Sequence, residues 1–453
     1  MSLPPSPASA LARARARLLD ALGSPAFVPL VLALAVALRL AWVAVLPVQP
    51  VSDCRWYFDR ALGLAGGHGY AVGDRPTAFY PVGYPAVLAG LFTLLGPSLA
   101  VAKLANVGFQ LGILLLSYRL AVLLFGSVAV GRITLAALAV YPNHLSYTAL
   151  TCSESASLFV LLAGIALMSV AVLSWPRACL AGATFALATV MKPQVVLLPA
   201  LLGVALIRRM PGGGPRRRYV AGLVLLYLVL AAALAPWIGR NYRVFDAFVF
   251  ISTNGGVNLL VGNHAKATGM YSLPEELPAL SGRARNEHEK DIEARRLALR
   301  FMLERPADTV RLWPWKLYHL YGRDGDGLAW SLLGIPADRD ELRTLVWRAA
   351  QINRPYYWAL LGTALLSILG LTVSGGWSRL GGLCPTLGLW VTVYFTAVYL
   401  PYFGDPRFHF PVMPWLAMYA GVGLHGLLTV GQSRDDRARE APDRAAALQG
   451  DRA

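Results

Sequence analysis

The chain has 453 residues and a net charge of +16; 56% of its residues are hydrophobic and only 15% are charged. Soluble domains carry about 25% charged residues, so this composition excludes a soluble nucleic-acid-binding module, a disordered chain and a collagen. The hydrophobic residues fall in blocks of roughly 18 to 25, the length that crosses a bilayer core. The sequence therefore predicts an all-α polytopic membrane protein, and the excess of arginine is typical of one membrane face.

Transmembrane helices are predicted wherever such a block occurs. Ten candidates lie at about 24–47, 98–125, 128–147, 153–174, 178–191, 194–207, 219–239, 356–375, 382–400 and 408–429. The first follows a basic stretch without a clear cleavage site, so we interpret it as a retained span and not as a signal peptide. A further apolar piece at 82–97 is shorter, and we interpret it as a short helix or re-entrant segment at the outer face.

The distribution of arginine sets the direction of the spans. The loop at 208–218 holds five arginines, which we place in the cytoplasm. Ten crossings satisfy this condition, whereas a crossing at 82–97 would send the loop outside. The predicted organisation is a basic cytoplasmic N-tail at 1–23, a transmembrane domain at 24–430 and a disordered cytoplasmic C-tail at 431–453. Two large outer segments result, at about 48–97 and 240–355.

The four cysteines are widely separated in the sequence and include no Cys-x-x-Cys pair. They are Cys54, Cys152, Cys179 and Cys384. Short, regular spacings are typical of metal clusters and of disulfide frameworks. We therefore predict neither of them here.

Asp53 stands about six residues after the first predicted span, at the start of a predicted helix at 55–64. Aspartate often caps a helix by accepting hydrogen bonds from its first N–H groups, and this is the structural interpretation. The functional interpretation is a carboxylate held at the membrane surface to accept a proton from an attacking hydroxyl. The sequence leaves both interpretations open.

Ionisable residues also mark the outer ends of later spans. Glu154 opens the span at 153–174, where an acid either complements the helix N-terminus or has a partner and a task. Lys192 precedes Pro193 in an outer turn, and Arg240 and Arg407 hold equivalent positions. Each cation alone can anchor its helix at the interface, but three at one depth suit the phosphate of an anionic lipid.

The long outer segment contains two further patterns. Its first part is rich in turn residues and amides, including Asn254, Asn258 and Asn263. Amides bind sugar hydroxyls because they both donate and accept, although a plain hairpin loop explains the same composition. Residues 288–304 are predicted to form an exposed charged helix. The aromatic and basic stretch at 313–321 predicts an amphipathic segment at the membrane interface.

Taken in order, these pieces resemble the membrane glycosyltransferases of the GT-C fold. Similar groups are the protein O-mannosyltransferases, the lipid A aminoarabinose transferases and the rhizobial lipid A galacturonosyltransferases. The resemblance runs from about residue 25 to 425. The residues that carry it are Asp53, Tyr80-Pro81 to Tyr84-Pro85, Glu154, Lys192-Pro193, Pro236-Trp237 with Arg240, Asn254-Gly255-Gly256 with Asn258, Gly262-Asn263, and Arg407 before Pro411.

The resemblance implies a polyprenyl-phosphate-linked monosaccharide donor and an acceptor hydroxyl on a glycan, lipid or protein. Transfer would invert the sugar at the periplasmic or extracellular side of the inner (plasma) membrane. The implied catalytic base is Asp53, and the implied phosphate ligands are Lys192, Arg240 and Arg407. The implied substrate contacts are Tyr80, Tyr84, Glu154, Asn254, Asn258 and Asn263.

The resemblance implies no nucleotide sugar at the site, no nucleic acid partner and no cofactor. It leaves a divalent metal ion open, although Cys54 follows Asp53 where some relatives carry a second acid. A multi-span transporter or a flippase for lipid-linked sugars is the alternative from another class, and an oligosaccharide polymerase is a third. Transporters are often built from internal repeats with matched broken helices, and the sequence shows neither.

Overall fold

The computed structural model describes residues 7–430, with side chains from Arg13 onward. The predicted C-tail at 431–453 lies outside the described residues. Within the described part, the chain forms nineteen α-helices: α1 (Pro7–Gly23), α2 (Phe27–Val45), α3 (Ser52–Ala65), α4 (Gly83–Leu95), α5 (Leu99–Phe125), α6 (Val128–Ala139), α7 (Pro142–Ser146), α8 (Glu154–Met168), α9 (Trp175–Met191), α10 (Leu198–Ile207), α11 (Gly214–Phe245), α12 (Gly255–Gly262), α13 (Leu277–Arg283), α14 (Glu287–Glu304), α15 (Pro306–Tyr321), α16 (Asp326–Gly334), α17 (Asp340–Val373), α18 (Leu387–Tyr399) and α19 (Met413–Leu428).

Short elements connect these helices. The strands β1 (Ala71–Val72) and β2 (Arg75–Pro76) form an antiparallel pair between α3 and α4. Single 3₁₀ turns lie at Tyr147–Ala149, Pro193–Val195, Gly376–Arg379 and Pro406–Val412. The regular structure of the described residues is therefore helical apart from this one short strand pair, as the sequence predicts.

Four of the described helices are long and apolar enough to cross a membrane by length and composition: α2, α5, α11 and α17. The pair Pro142–Ala149 and Glu154–Met168 also qualifies as a broken span, bent by 114°. The other predicted spans correspond to shorter helices, so the count of ten stays a prediction. The helices α11 and α17 extend well beyond the predicted segments, because hydropathy detects only apolar turns whereas a helix can continue through polar ones.

Residues 83–95 form the short helix that the sequence predicts. Thirteen residues rise only about 20 Å, less than the roughly 30 Å of a bilayer core. The helix α4 packs against α3, where the Phe58 and Phe92 rings meet edge to face with centroids 5.6 Å apart. This packing holds α3, the helix that carries Asp53, against α4.

The two ends of the described chain meet. Arg15 of α1 donates to the Leu428 carbonyl at the end of α19 (2.6 Å), and Arg132 of α6 donates to the Leu22 carbonyl. The apolar helix α2 begins at this end of the molecule and runs away from it, whereas α19 begins at the far end and finishes here. The residues that follow α2 and precede α19, including Asp53 and Arg407, therefore lie at the opposite end.

One buried cation inside the helix bundle binds the end of a neighbouring helix. Arg39 of α2 is fully buried, and its guanidinium donates to the carbonyls of Leu138 and Ala139 at the end of α6 (3.3 and 2.8 Å). The last carbonyls of a helix lack partners within that helix. The arginine therefore satisfies carbonyls that would otherwise lose their hydrogen bonds in an apolar environment.

Candidate active site

A cavity of about 820 Å³ lies where the ends of several helices meet. Most of its wall is apolar, and its aromatic residues are Tyr57, Phe79, Tyr80, Phe250, Tyr271, Trp330, Tyr394, Tyr399, Tyr402, Phe403 and Phe408. Its charged residues are Asp53, Glu154, Lys192, Asp405 and Arg407. These five come from four separate parts of the sequence, so the fold assembles a small charged centre in an apolar wall.

Asp53 is held by two side chains that are distant in sequence. The Tyr80 hydroxyl donates to its Oδ1 (2.8 Å), and the Arg407 guanidinium donates to its Oδ2 (2.6 Å). The helix α3 begins at Ser52, one residue before Asp53, and no side chain caps its N-terminus. The structural interpretation of Asp53 as a helix cap is therefore wrong.

The environment keeps Asp53 ionised at neutral pH. Burial raises the pKa of Asp53, but the charge and hydrogen bond of Arg407 outweigh this effect, aided by Tyr80 and Lys192. The pKa of Asp53 is thus lower than its usual 3.8. A carboxylate at the cavity wall is available to accept a hydrogen bond and later a proton.

Glu154 and Lys192 form a second pair in the same wall. Glu154 is the first residue of α8, and its Oε1 accepts from Lys192 Nζ (3.1 Å). The carboxylate is nearly buried, with 7% of the side chain exposed, whereas 25% of Lys192 is exposed. Within residues 7–430, no hydrogen-bond partner reaches the second glutamate oxygen, Oε2. Glu154 thus lines the cavity with one oxygen paired to Lys192 and a second, buried oxygen that has no partner among these residues.

Arg407 is fixed by acids that the sequence analysis did not single out. Its backbone N–H donates to both Asp405 Oδ1 (3.0 Å) and Asp326 Oδ2 (2.9 Å). Two carboxylates that share one N–H lie close together. Burial, followed by the charge of Asp405, raises the pKa of Asp326 to about 7. Asp326 lies between Gly325 and Gly327, and Asp405 lies between Gly404 and Pro406. The available signal was therefore an aspartate beside glycine or proline at the start of a helical element.

A buried polar cluster supports the turn that carries Arg407. His409 Nε2 lies 3.3 Å from Asp324 Oδ1, and the Asn143 amide donates to the same oxygen (2.5 Å). Asn143 also accepts from the Gly327 N–H (2.9 Å). These bonds join α7, α16 and the Pro406–Val412 segment, so they fix the position of Arg407 at the cavity wall.

Arg240 does not reach the cavity. Its guanidinium donates to the carbonyls of Thr77 (2.8 Å) and Tyr70 (2.9 Å) and stacks over Trp237, 4.9 Å from the ring centroid. Of the three predicted phosphate ligands, the structure thus brings Lys192 and Arg407 together and places Arg240 in a neighbouring structural role.

Glu287 completes this structural group. Its carboxylate accepts from Thr77 Oγ1 (2.7 Å), the Ala78 N–H (2.5 Å) and Thr253 Oγ1 (3.0 Å). The Thr253 N–H in turn donates to the Ala78 carbonyl (2.9 Å). We call Glu287 and Arg240 the clamp, because together they hold the segment before Tyr80 and join it to the segment before Asn254.

The predicted asparagines separate into two groups. Asn254 and Asn258 line the cavity. Asn263 is fully buried outside it, where its amide donates to the Pro401 carbonyl (2.7 Å) and its Oδ1 accepts from Lys316 (2.9 Å). Residues 255–262 form α12, so the hairpin interpretation is wrong. Asp291 Oδ1 accepts from the N–H groups of the helix start, and the helix is therefore already capped.

The two predicted tyrosines also separate. Tyr80 lines the cavity and binds Asp53. Tyr84 is fully buried in α4, and its hydroxyl donates to Asn106 (3.4 Å). Both tyrosines follow the same Tyr-Pro pattern in the sequence, but only the first precedes the helix and faces the open space.

One prediction about the cysteines is wrong. Cys54 and Cys152 form a disulfide bond with a Cα–Cα distance of 4.5 Å. They are 98 positions apart in the sequence, and the fold brings the first turn of α3 beside the segment that precedes α8. Cys179 and Cys384 are free cysteines.

The described residues contain no ready set of metal ligands. Within 7–430, no three His, Cys, Asp or Glu side chains are grouped as metal ligands. Both oxygens of Asp53 are engaged by Tyr80 and Arg407. No step of the chemistry proposed below therefore passes through a metal.

Comparison with known proteins relates the whole fold to membrane glycosyltransferases. No family model and no curated protein matches the chain. Oligosaccharyltransferase AglB from Archaeoglobus fulgidus, in complex with an inhibitory peptide and a dolichol-phosphate, matches with a TM-score of 0.52 and 12% identity, over 92% of this chain and 54% of AglB. The A. fulgidus oligosaccharyltransferase with Zn and sulfate matches with a TM-score of 0.52 and 14% identity, over 92% of this chain and 50% of the enzyme.

A third solved structure is ArnT from Cupriavidus metallidurans bound to undecaprenyl phosphate. It has a TM-score of 0.43 and 15% identity, over 93% of this chain and 80% of ArnT. The chain spans about half the length of the archaeal enzymes that it matches. The matches to those enzymes confirm the predicted architecture: the chain is a polytopic membrane protein with the GT-C fold of membrane glycosyltransferases.

Proposed function

We propose that this protein is a membrane glycosyltransferase that moves a monosaccharide from a polyprenyl-phosphate donor to an acceptor hydroxyl. The observation that carries the proposal is the contact between Asp53 and Arg407 in the cavity wall (2.6 Å). A base for the acceptor and a cation for the departing phosphate are the two groups that this transfer requires. The GT-C fold, found in an AglB structure that contains dolichol-phosphate, supports the same reading.

The donor phosphate would bind between Arg407 and Lys192. Both cations line the cavity, and each is already paired with a carboxylate. An anion that arrives takes over part of these contacts, and the apolar wall around them strengthens the new ones. The aromatic and aliphatic residues of the wall would cover the first isoprenoid units and the sugar ring.

Asp53 would act as the general base. The acceptor oxygen attacks the anomeric carbon, and the bond from that carbon to the phosphate oxygen breaks with its electron pair going to the phosphate. The acceptor proton passes to Asp53. Because the attacking oxygen becomes acidic as it bonds to carbon, a carboxylate with a low pKa can accept the proton at that stage. Single displacement gives inversion.

Arg407 and Lys192 would stabilise the negative charge that develops on the leaving phosphate. Preorganised charges in a site of low dielectric constant have this effect without reorganisation. Tyr80 keeps Asp53 oriented through its hydroxyl. Glu154 would accept hydrogen bonds from substrate hydroxyls, and the cavity-lining amides of Asn254 and Asn258 would both donate and accept.

The site would face the periplasm or the cell exterior. The arginines of the N-terminal segment are at one end of the bundle and the cavity is at the other, and arginine-rich ends are typically cytoplasmic. A disulfide beside Asp53 supports the same orientation, because disulfides persist in oxidising compartments.

A direct assay tests the proposal. Purified protein is incubated with a panel of polyprenyl-phosphate sugars and with glycan, lipid and peptide acceptors, and the products are measured by mass spectrometry. We expect sugar transfer, or slow donor hydrolysis without acceptor, and loss of both in Asp53→Asn. Intact donors across the whole panel, together with donor movement across a vesicle membrane, would show a flippase instead.

A further inference from the structure

The Cys54–Cys152 disulfide joins the segments that carry two of the cavity's carboxylates, Asp53 and Glu154. Cys54 directly follows Asp53 in α3, and Cys152 precedes Glu154 by two residues. Both cysteines are buried, with exposed fractions of 0% and 6%. We infer that this bond positions Asp53 and Glu154 for the reaction, beyond any general stabilisation of the fold. The inference rests on the proposed function.

The position of the segment before Glu154 depends on links to other parts of the chain. It lies between the 3₁₀ turn Tyr147–Ala149 and α8, at the 114° bend of the broken span. Residues in a break lack the hydrogen bonds of a continuing helix, so contacts with other segments determine where α8 begins. Thr151 Oγ1 donates to the Cys54 carbonyl (2.9 Å), and Asn106 donates to the Leu150 carbonyl. The disulfide is the covalent member of this set.

The backbone before Asp53 also depends on contacts with other segments. Ser52 has a φ of 46°, in the left-handed region that residues other than glycine rarely adopt. Such a conformation persists only when its surroundings impose it. The disulfide and the Thr151 hydrogen bond both hold Cys54, two residues after Ser52. Together they hold the first turn of α3 in the orientation that brings Asp53 to Tyr80 and Arg407.

The test compares a tether-free variant with a matched control. Cys54→Ser/Cys152→Ser removes the bond, whereas Cys179→Ser removes one free cysteine on α9. Non-reducing peptide mapping of the wild type comes first, and free thiols at both positions would overturn the inference. If the double variant does not fold, wild-type protein reduced by a water-soluble phosphine after purification replaces it.

Kinetics separate positioning from stability. We expect kcat per folded molecule to fall about ten- to a hundredfold, as for a reacting group displaced by an ångström, while the affinity for polyprenyl phosphate changes less than about threefold. The acid limb of kcat should move to higher pH, because Asp53 remains buried but loses part of its contact with Arg407. A bond that only stabilises the fold would lower the melting temperature and leave kcat per folded molecule and the acid limb unchanged.

Hydrogen exchange provides a readout that does not require activity. Removal of the tether should speed exchange at 51–57 and 150–156 and leave α12 unchanged, because only the first two segments meet at the disulfide. Unchanged exchange at both segments would overturn the inference even if transfer activity were found. A wild type that transfers no sugar from any donor would overturn the proposed function alone, and exchange would still decide the role of the tether.

Discussion

Two neighbouring groups of charged side chains in this molecule differ in what satisfies them. In the clamp, the Glu287 carboxylate accepts from three donors of the surrounding loops, and Arg240 donates to two backbone carbonyls. In the cavity, Asp53 and Arg407 bind each other and face an open volume. Charged side chains whose hydrogen bonds go to surrounding loops and backbone stabilise the structure. Charged side chains that face a cavity remain available to a ligand.

The difference explains why one predicted phosphate ligand is elsewhere. In the sequence, Arg240 follows one predicted span and Arg407 precedes another, so the two arginines look equivalent. Their roles differ because different distant segments contact them. The carbonyls of Thr77 and Tyr70 accept hydrogen bonds from Arg240, whereas the carboxylate of Asp53 accepts from Arg407.

Replacement of Asp53 should have the largest effect. Asp53→Asn preserves shape but cannot accept a proton, so turnover should fall about 100- to 10,000-fold, while binding of polyprenyl phosphate persists. The matched control is Asp59→Asn in the same helix, where Asp59 is 39% exposed and pairs only with Arg55 among the ion pairs of the described residues (3.5 Å). Turnover within a few-fold of wild type in a folded Asp53→Asn variant would move the catalytic role to another residue.

Replacement of Arg407 should weaken phosphate binding. A charge-assisted hydrogen bond contributes about 1.5–3 kcal/mol, so Arg407→Ala should lose about ten- to a hundredfold in affinity for polyprenyl phosphate, measured by native mass spectrometry. Arg407→Lys should recover part of this loss. Arg240→Ala is the control from the clamp, and its affinity should remain within about threefold of wild type. Equal losses in both alanine variants would erase the distinction between clamp and cavity.

Replacement of Glu287 should affect stability more than binding. Glu287→Gln keeps one acceptor oxygen but introduces a donor where Thr77, Ala78 and Thr253 all donate. A buried donor without an acceptor costs about 1–3 kcal/mol, so the free energy of unfolding should fall by that amount. Thermal inactivation in detergent measures the change. A variant with wild-type stability but weakened phosphate affinity would assign the clamp to ligand binding.

The pH dependence of donor affinity should show the smallest effect. The pKa of Asp326 is about 7, so this residue becomes negatively charged as pH rises from 6 to 8. A new negative charge beside Arg407 opposes binding of an anion. Affinity for a phosphodiester donor, whose own charge does not change in this range, should therefore decline a few-fold over the interval. Asp326→Asn should flatten the profile, and an unchanged slope in that variant would assign the dependence to another group.

Part of this site could be predicted from the sequence for a physical reason. Ionised groups at the ends of apolar segments are costly unless they have a partner or a task, and Asp53, Glu154, Lys192 and Arg407 all follow this pattern. The structure brings these four to one cavity. The pairings themselves were not predictable, because they join residues that are 38 to 354 positions apart.

Other features depend on geometry that a hydropathy profile does not encode. The polar turns of α11 and α17 continue their helices because their backbone bonds are local. The disulfide depends on two cysteines that the fold places on adjacent segments. Asn263 lies in a stretch whose composition is typical of a ligand-binding loop. Its side chain is nevertheless buried, with its amide donating to the Pro401 carbonyl and its Oδ1 accepting from Lys316.

A structure of the protein with polyprenyl phosphate, determined by electron cryomicroscopy in lipid nanodiscs, would show where the donor phosphate binds. We expect phosphate oxygens within about 3 Å of the Arg407 guanidinium, with Lys192 beside them and the first isoprenoid units along the apolar wall of the cavity. A phosphate bound at Arg240, or on the exposed arginines of α14 with the cavity left unfilled, would contradict the proposed function.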